Sequence, residues 1–273
     1  LTLAIKIFTG SYHRPFLHQL VSGQLDMDRT DYLKRDSFYT GMAEGNINTD
    51  RILAMLAVKD DKLMVEEKGV YTIEKFLVAR RLMYWQVYLH KTGIAAEQLL
   101  VRVLKRAKDL TENGVALPAS EALQFFLKNK ISKGSFDENA LRTFARLDDY
   151  DVISAMKEWC GQDDFVLSTL SKKIINRKLL AIKIKKKPFS PEFVKNTIQG
   201  LMDTYSITEE EAGYFVFTGT ITNQAYTSEK AGIEILTKKG KVIDVVKASD
   251  QLSLKALSKV IVKNYICFPK HKD

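Results

Sequence analysis

Residues 71–92 restrict the fold more than any other stretch. They read Tyr-Thr-Ile-Glu-Lys-Phe-Leu-Val-Ala-Arg-Arg-Leu-Met-Tyr-Trp-Gln-Val-Tyr-Leu-His-Lys-Thr, with no Pro or Gly, and the recurrence of apolar positions predicts a helix. Ile73, Phe76, Met83 and Val87 form one apolar side; Val78, Leu82, Trp85 and Leu89 form the other. A helix apolar on both sides is buried in a larger body or at a subunit contact. Along it, Arg80, Tyr84, Tyr88 and Lys91 form a stripe. Buried cations require compensating negative charge. Two sources meet that need: carboxylates elsewhere in the chain, with the tyrosines as ordinary core aromatics, or a phosphate-bearing ligand, whose oxygens match the planar guanidinium fork.

The second informative stretch, residues 24–36, reads Gln-Leu-Asp-Met-Asp-Arg-Thr-Asp-Tyr-Leu-Lys-Arg-Asp. On a helix, Asp28, Tyr32 and Asp36 fall four apart and share one face. Leu25 and Leu33 can anchor the segment in a core. A core-facing helix avoids such a density of carboxylates unless a metal, an arginine or a ligand compensates them. The alternative is a solvated helix with internal ion pairs.

Asp-x-Asp-Arg-x-Asp-Tyr-Leu-x-Arg-Asp, followed by Ser37, Tyr39 and Gly41, resembles the final motif of the HD-domain phosphohydrolases, in particular the deoxynucleoside triphosphate triphosphohydrolase branch. Thr30 departs from the larger apolar residue usual there. The run Tyr-x-x-x-x-Phe-x-x-x-Arg, then Tyr-x-His-Lys, looks like that family's nucleotide-binding helix. The resemblance implies that Asp28 is the last protein ligand of a catalytic divalent metal (Mg, Mn, Fe, Zn or Ni). It also implies that Arg29, Tyr32, Asp36, Arg80, Tyr84, Tyr88, His90 and Lys91 face the nucleotide. The implied reaction is hydrolysis of a (deoxy)nucleoside triphosphate to nucleoside and triphosphate.

The family builds the rest of its metal site from a His and a His-Asp pair. Here the histidines are His13, His18, His90 and His271, and none precedes an Asp. The chain is therefore expected to be the C-terminal portion of a longer protein, with its catalytic residues upstream of Leu1, and to be inactive alone. His13 and His18 are five apart, not the i, i+4 spacing of two ligands on one helix face, and are expected to be structural. A nucleotide-binding or regulatory module without cleavage is the alternative function.

Composition is that of a globular protein, 45% hydrophobic and 27% charged. No apolar run is long enough to span a bilayer. Two distant cysteines, Cys160 and Cys267, give neither a zinc pattern nor a disulfide framework, and reduced thiols in a cytoplasm are the expectation. The net charge of +9 favours anionic partners. Eight of the basic residues fall between Lys172 and Lys187, either as a solvated surface or as a site for nucleic acid or a regulatory nucleotide. Arg177 lies near the position where the resembling family contacts an allosteric nucleotide. The two-sided apolar helix and the basic lobe point to a homo-oligomer.

The expected architecture is mainly α: the C-terminal part of a helical HD-type body over residues 1–165, then a smaller α+β lobe over 166–273. Short helices are predicted at 1–8 and 14–22, and another opens near Asn48 or Thr49. A hairpin is predicted around Lys59-Asp60-Asp61. Helices follow at 94–110, 119–129, 137–147 and 149–160, the last opened by the acids around Asp148. In the lobe, strands are expected at 180–184, 214–220, 233–236, 242–246 and 260–268, with a helix at 190–205 and a glycine turn at Lys239-Gly240.

Overall fold

The computed structural model describes residues 1–224, 226, 232–250 and 259–270. Its first elements are helices α1 (Thr2–Phe8), α2 (Pro15–Val21), α3 (Met27–Thr40) and α4 (Thr49–Ala54), then strands β1 (Leu56–Lys59) and β2 (Lys62–Glu66). Helix α5 (Val70–Met83) runs into a π-helical turn, Tyr84–Tyr88. Next come α6 (Lys91–Glu112), α7 (Glu121–Lys128), α8 (Glu138–Phe144), α9 (Asp149–Trp159) and α10 (Phe165–Ile175). The remainder is mixed: β3 (Ala181–Lys185), α11 (Pro191–Tyr205), α12 (Glu209–Ala212), β4 (Phe217–Asn223), β5 (Glu234–Leu236), β6 (Val242–Asp244), α13 (Val245–Ala248) and β7 (Ile261–Phe268). The class is mainly α with a smaller α/β region near the C-terminus, as the sequence pattern predicts. Among the described residues no helix is long and apolar enough to cross a membrane.

The chain forms two compact units, each discontinuous in sequence: residues 1–90 with 221–262, and residues 91–220 with 263–273. The division expected after residue 165 falls inside the second unit. The reason is a strand pairing. β5 lies parallel to β2, with Met64 opposite Glu234 and Val65 opposite Ile235, so the late segment completes a sheet begun near residue 56.

In the first unit the sheet order is β1-β2-β5-β6. The β1–β2 turn has Asp60 and Asp61 at φ 51° and 56°, the two left-handed positions of a type I′ hairpin turn. The strand expected at 242–246 stops at Asp244, whose carboxylate accepts a hydrogen bond from the Val246 backbone N–H at 2.8 Å and starts α13 instead. Leu33, Ile52, Val65, Ile73, Phe76, Leu77, Met83 and Ile235 share one core. Helix α3 joins it through Leu25 and Leu33, which are buried, and ends at Gly41 with φ 70°. Gly45 lets the following turn approach α5. A Cβ there would lie 2.6 Å from Met83 Sδ and 2.8 Å from Ser37 Cβ.

The predicted 71–92 helix is interrupted. After Met83 the ladder widens, and Leu89 N–H donates to Tyr84 O at 2.7 Å, five residues back. Leu89 then leaves helical geometry with φ −103° and ψ 22°, and α6 starts anew at Lys91. Only one apolar side is fully buried (Ile73, Phe76, Met83); Val78, Leu82, Trp85 and Leu89 are half-buried.

In the second unit, α6 buries Ile94, Leu99, Val103 and Ala107 along one stripe. Asp148 and Asp151 form a capping box at the start of α9, so these acids open a helix. The second sheet has the order β3-β7-β4, with β3 and β7 antiparallel from Ala181 opposite Phe268 to Lys185 opposite Asn264. Strand β4 starts at Phe217, three residues later than the apolar run suggests, because Glu211, Ala212 and Tyr214 to Val216 still take part in the turn that closes α12.

Asp164 ties α10 to α6. It caps α10 by accepting the Leu167 N–H at 2.7 Å, and takes two hydrogen bonds from Arg106 at 2.6 and 3.1 Å. Burial disfavours its charge, but Arg106 and the capping N–H outweigh burial and hold its pKa below the ordinary aspartate value. A depressed folded-state pKa adds stability that is present above the unfolded value near ~4 and lost as pH falls through the folded value. Asp164→Asn keeps the cap and removes the charge. It is expected to cost roughly 1–2 kcal/mol near neutral pH. In urea unfolding followed with pH, the difference from wild type should shrink as acid reaches the folded-state pKa. A difference that grows in acid contradicts this assignment.

Candidate functional site

The Arg80 guanidinium sits at the centre of the site, in the first unit. Helix α5 carries it into the core, where the residue is 8% exposed. Its Nη1 donates a long hydrogen bond to Gln24 Oε1 at 3.4 Å, and its Nε has no acceptor among the described residues. No carboxylate among the described residues forms an ion pair with it. Burial, then the positive charge of Arg29, lower its pKa from the ordinary arginine value, although a guanidinium remains protonated in proteins. What surrounds it is phenolic. The Arg80 Cζ lies 5.8 Å from the Tyr84 ring centroid. The Tyr84 and Tyr88 rings meet edge to face at 5.1 Å, and Tyr88 and Tyr32 at 5.8 Å.

Arg29 is fixed by the loop that precedes α3. Asp26 is the N-cap, buried at 4% exposure, and accepts from the Arg29 N–H at 2.7 Å and the Gly23 N–H at 3.1 Å. The Arg29 Nε donates to Gly23 O at 2.9 Å and to Asp26 Oδ2 at 3.1 Å. Arg29 is thus ion-paired and half-buried, whereas Arg80 is buried and has no ion pair among the described residues. On the same helix, Asp36 accepts a hydrogen bond from the Tyr88 hydroxyl at 2.8 Å. Burial, then that hydrogen bond, raise the Tyr88 pKa; burial, then Tyr84, raise that of Tyr32. Both phenols therefore stay protonated at neutral pH and serve as donors.

The structure gathers Arg29, Tyr32, Asp36, Arg80, Tyr84 and Tyr88 in one region of the first unit. Asp28 lies on the exposed side of the first turn of α3 and forms no ion pair among the described residues. His90 is exposed at the end of the π turn, and Lys91, also exposed, opens α6 in the second unit. Arg177 is exposed in the second unit, at φ 56° just after α10. His18 Nδ1 lies 3.0 Å from Ile7 O, and the His13 ring lies against Tyr12 at 4.3 Å; His271 lies outside the described residues. In the basic segment, Lys183 lies over Phe193 and Phe268, and Lys185 over Phe189.

Sequence reasoning overlooked Asp26 as the buried acid that locks Arg29, and Gln24 as the neighbour of Arg80. The signal for Asp26 was its position just ahead of a helical pattern, where Asp favours the N-cap. A divalent metal needs several oxygen or nitrogen donors. Among the described residues, no three His, Cys, Asp or Glu side chains are grouped to hold one, so the donor set present does not by itself fit a metal.

Comparison with known proteins follows these elements. The HD associated region matches residues 47–117, from α4 through the Arg80 helix and α6. The crystal structure of a phosphohydrolase from Bacteroides thetaiotaomicron superposes with a TM-score of 0.94 and 48% identity, covering 99% of this chain and 68% of that one. The uncharacterized protein YwfO of Bacillus subtilis is 26% identical over 251 residues, 89% of this chain and 55% of its own length. A deoxynucleoside triphosphate triphosphohydrolase SAMHD1 homolog of Dictyostelium discoideum is 28% identical over 102 residues, 35% of this chain and 20% of its own. The chain thus spans about half the length of the Bacillus relative, and its matched segment covers a fifth of the Dictyostelium one. At nearly half its residues identical and its fold superposed throughout, it belongs to the same HD-associated phosphohydrolase family as the Bacteroides protein.

Proposed function

We propose that these residues form the polyphosphate- and sugar-binding part of a metal-dependent phosphohydrolase acting on (deoxy)nucleoside triphosphates, with nucleoside and triphosphate as products. One observation carries the reading: Arg80 is buried with no carboxylate paired to it among the described residues. A desolvated cation without a counter-ion is costly, and an anion that binds beside it removes that cost. Phosphate oxygens suit the guanidinium fork. A phosphohydrolase from Bacteroides and a deoxynucleoside triphosphate triphosphohydrolase homolog from Dictyostelium among its relatives support such a ligand.

In this reading Arg80 and Arg29 grip the polyphosphate. As the bond to the nucleoside breaks, charge gathers on the departing triphosphate, and a pre-positioned, desolvated guanidinium offsets it. Tyr32 donates its phenolic hydrogen to a phosphate oxygen. Tyr88 and Asp36, already hydrogen-bonded, present a hydroxyl and a carboxylate to the sugar. His90 and Lys91 keep the phosphate-facing role that the family resemblance implies, and Arg177 that of a contact for a regulatory nucleotide. Asp28 keeps the metal-ligand role that the family resemblance implies, although the described residues do not themselves group the further donors a metal needs. The exposure of Asp28 equally favours a second reading, a nucleotide-binding module that does not cleave. Nucleic acid held by Lys172–Lys187 is a third reading, marked by steep loss of binding with salt.

In the full-length protein, Asp28→Ala should abolish metal-dependent triphosphate release and leave the melting temperature unchanged; full activity in this variant removes Asp28 from the metal site. Arg80→Leu should do two opposite things. It should weaken binding of inorganic tripolyphosphate at least ~10-fold and raise the stability of the ligand-free protein by about 1 kcal/mol, because an uncompensated buried charge is gone. Calorimetry and thermal melts check both, and a variant that binds normally contradicts the assignment. Tyr88→Phe should weaken nucleoside triphosphate and leave tripolyphosphate untouched; equal losses for both would place Tyr88 on the phosphates.

A further inference from the structure

Helix α8, in the second unit, buries only Ala140. Its start is capped by Asp137, which accepts the Ala140 N–H at 2.8 Å. A cap contributes little beside tertiary burial, and so short a helix persists by packing an apolar face. The large apolar side chains of α8 are instead left open. Leu141 is 49% and Phe144 57% exposed, and Phe136, just before the helix, is 44% exposed.

These side chains form one surface. Leu141 and Phe144 lie three apart, on one helix face. The Phe144 ring meets Phe136 edge to face at 6.4 Å and Phe126, on α7, at 6.1 Å; Phe126 in turn meets Phe125 at 5.1 Å. Together they expose an apolar patch of roughly 300 Å², a size typical of functional patches. The proposed nucleotide site, in the first unit, uses none of them.

Charge selects the occupant. The whole chain carries +9, yet residues 121–151 hold six acids and five bases, so two copies meeting here escape most of the repulsion between their other surfaces. The rim is also self-complementary. Arg142 pairs with Glu138 at 3.1 Å and Arg146 with Glu121 at 3.2 Å, all four exposed. A two-fold axis beside such a rim lets each arginine face the other copy's carboxylate. A strongly acidic protein or an anionic membrane would settle on the lysine-rich segment 172–187 instead. We propose that α8 is the centre of a two-fold contact between copies of this chain. Phe136, Leu141 and Phe144 of one copy pack against the same residues of the other, and Arg142 of each copy pairs with Glu138 of the other. The apolar patch supplies the dry centre of an interface that needs roughly 800 Å² per partner, and the charged rim supplies the remainder.

The test is the molar mass of the full-length protein by sedimentation equilibrium. Wild type should assemble, and Phe144→Glu should reduce the mass by half or more at equal concentration, with an unchanged melting temperature. Arg142→Glu alone should weaken assembly at least ~10-fold. Arg142→Glu combined with Glu138→Arg should restore it, because each reversed charge again meets its opposite across the axis. A monomeric wild type, or a Phe144→Glu variant that keeps its full mass, overturns the contact. Where Phe144→Glu also lowers the melting temperature, the charge pair decides: rescue by the double reversal upholds the contact, and no rescue shows that the face is covered by something other than a second copy.

Discussion

A buried guanidinium with no counter-ion among the described residues is the constraint around which the first unit is arranged. Arg80 is 8% exposed and its Nε has no acceptor among the described residues. Folding has removed that charge from water and offered it phenol rings and one distant amide oxygen instead. Groups of this kind persist where a ligand supplies the missing partner, and they lower the stability of the free protein in doing so. The neighbouring arginine makes the arrangement more demanding, because its positive charge acts on Arg80 in the same direction as burial.

The scaffold holds these groups in place by short-range means. Asp26 closes the start of α3 and grips Arg29 in the same set of hydrogen bonds, so one buried carboxylate serves both helix and site. Gly45 admits the turn after α3 into contact with Met83 and Ser37, which brings α3 and α5 together. The π turn at Tyr84–Tyr88 then adds a residue to the helical ladder at the point where Tyr84 and Tyr88 face Tyr32 and Asp36. Such turns recur at functional sites because they re-aim side chains without ending the helix.

Much of this was legible in the residues. Asp60-Asp61 between two short apolar runs marked the hairpin, Ser190-Pro191 marked the start of α11, and Asp148 the start of α9, because caps and turns are local chemistry. The stripe of Arg80, Tyr84 and Tyr88 followed from helical spacing. Three features were not legible, each for a physical reason. The parallel pairing of β5 with β2 joins residues some 170 positions apart, and no periodicity encodes such a partner; that pairing makes the units discontinuous. A π turn has the composition of the α-helix around it, so the break before Lys91 left no trace. Among the clustered acids of residues 26–36, spacing singled out the shared face of Asp28, Tyr32 and Asp36, whereas the buried acid is Asp26, chosen by its place one residue before the helix. Asp28, the expected metal ligand, is exposed.

The central claim is that the Arg80 guanidinium is held ready for an anion. The most direct measurement is the ¹⁵Nε–Hε resonance of Arg80, assigned by its loss in Arg80→Lys, during titration of the full-length protein with inorganic tripolyphosphate. The account predicts a saturable change at Arg80 Nε as it gains the acceptor it lacks, together with slowed hydrogen exchange at that group. A resonance that stays fixed while exposed arginines such as Arg35 respond would show that the anion binds elsewhere, and would contradict the account.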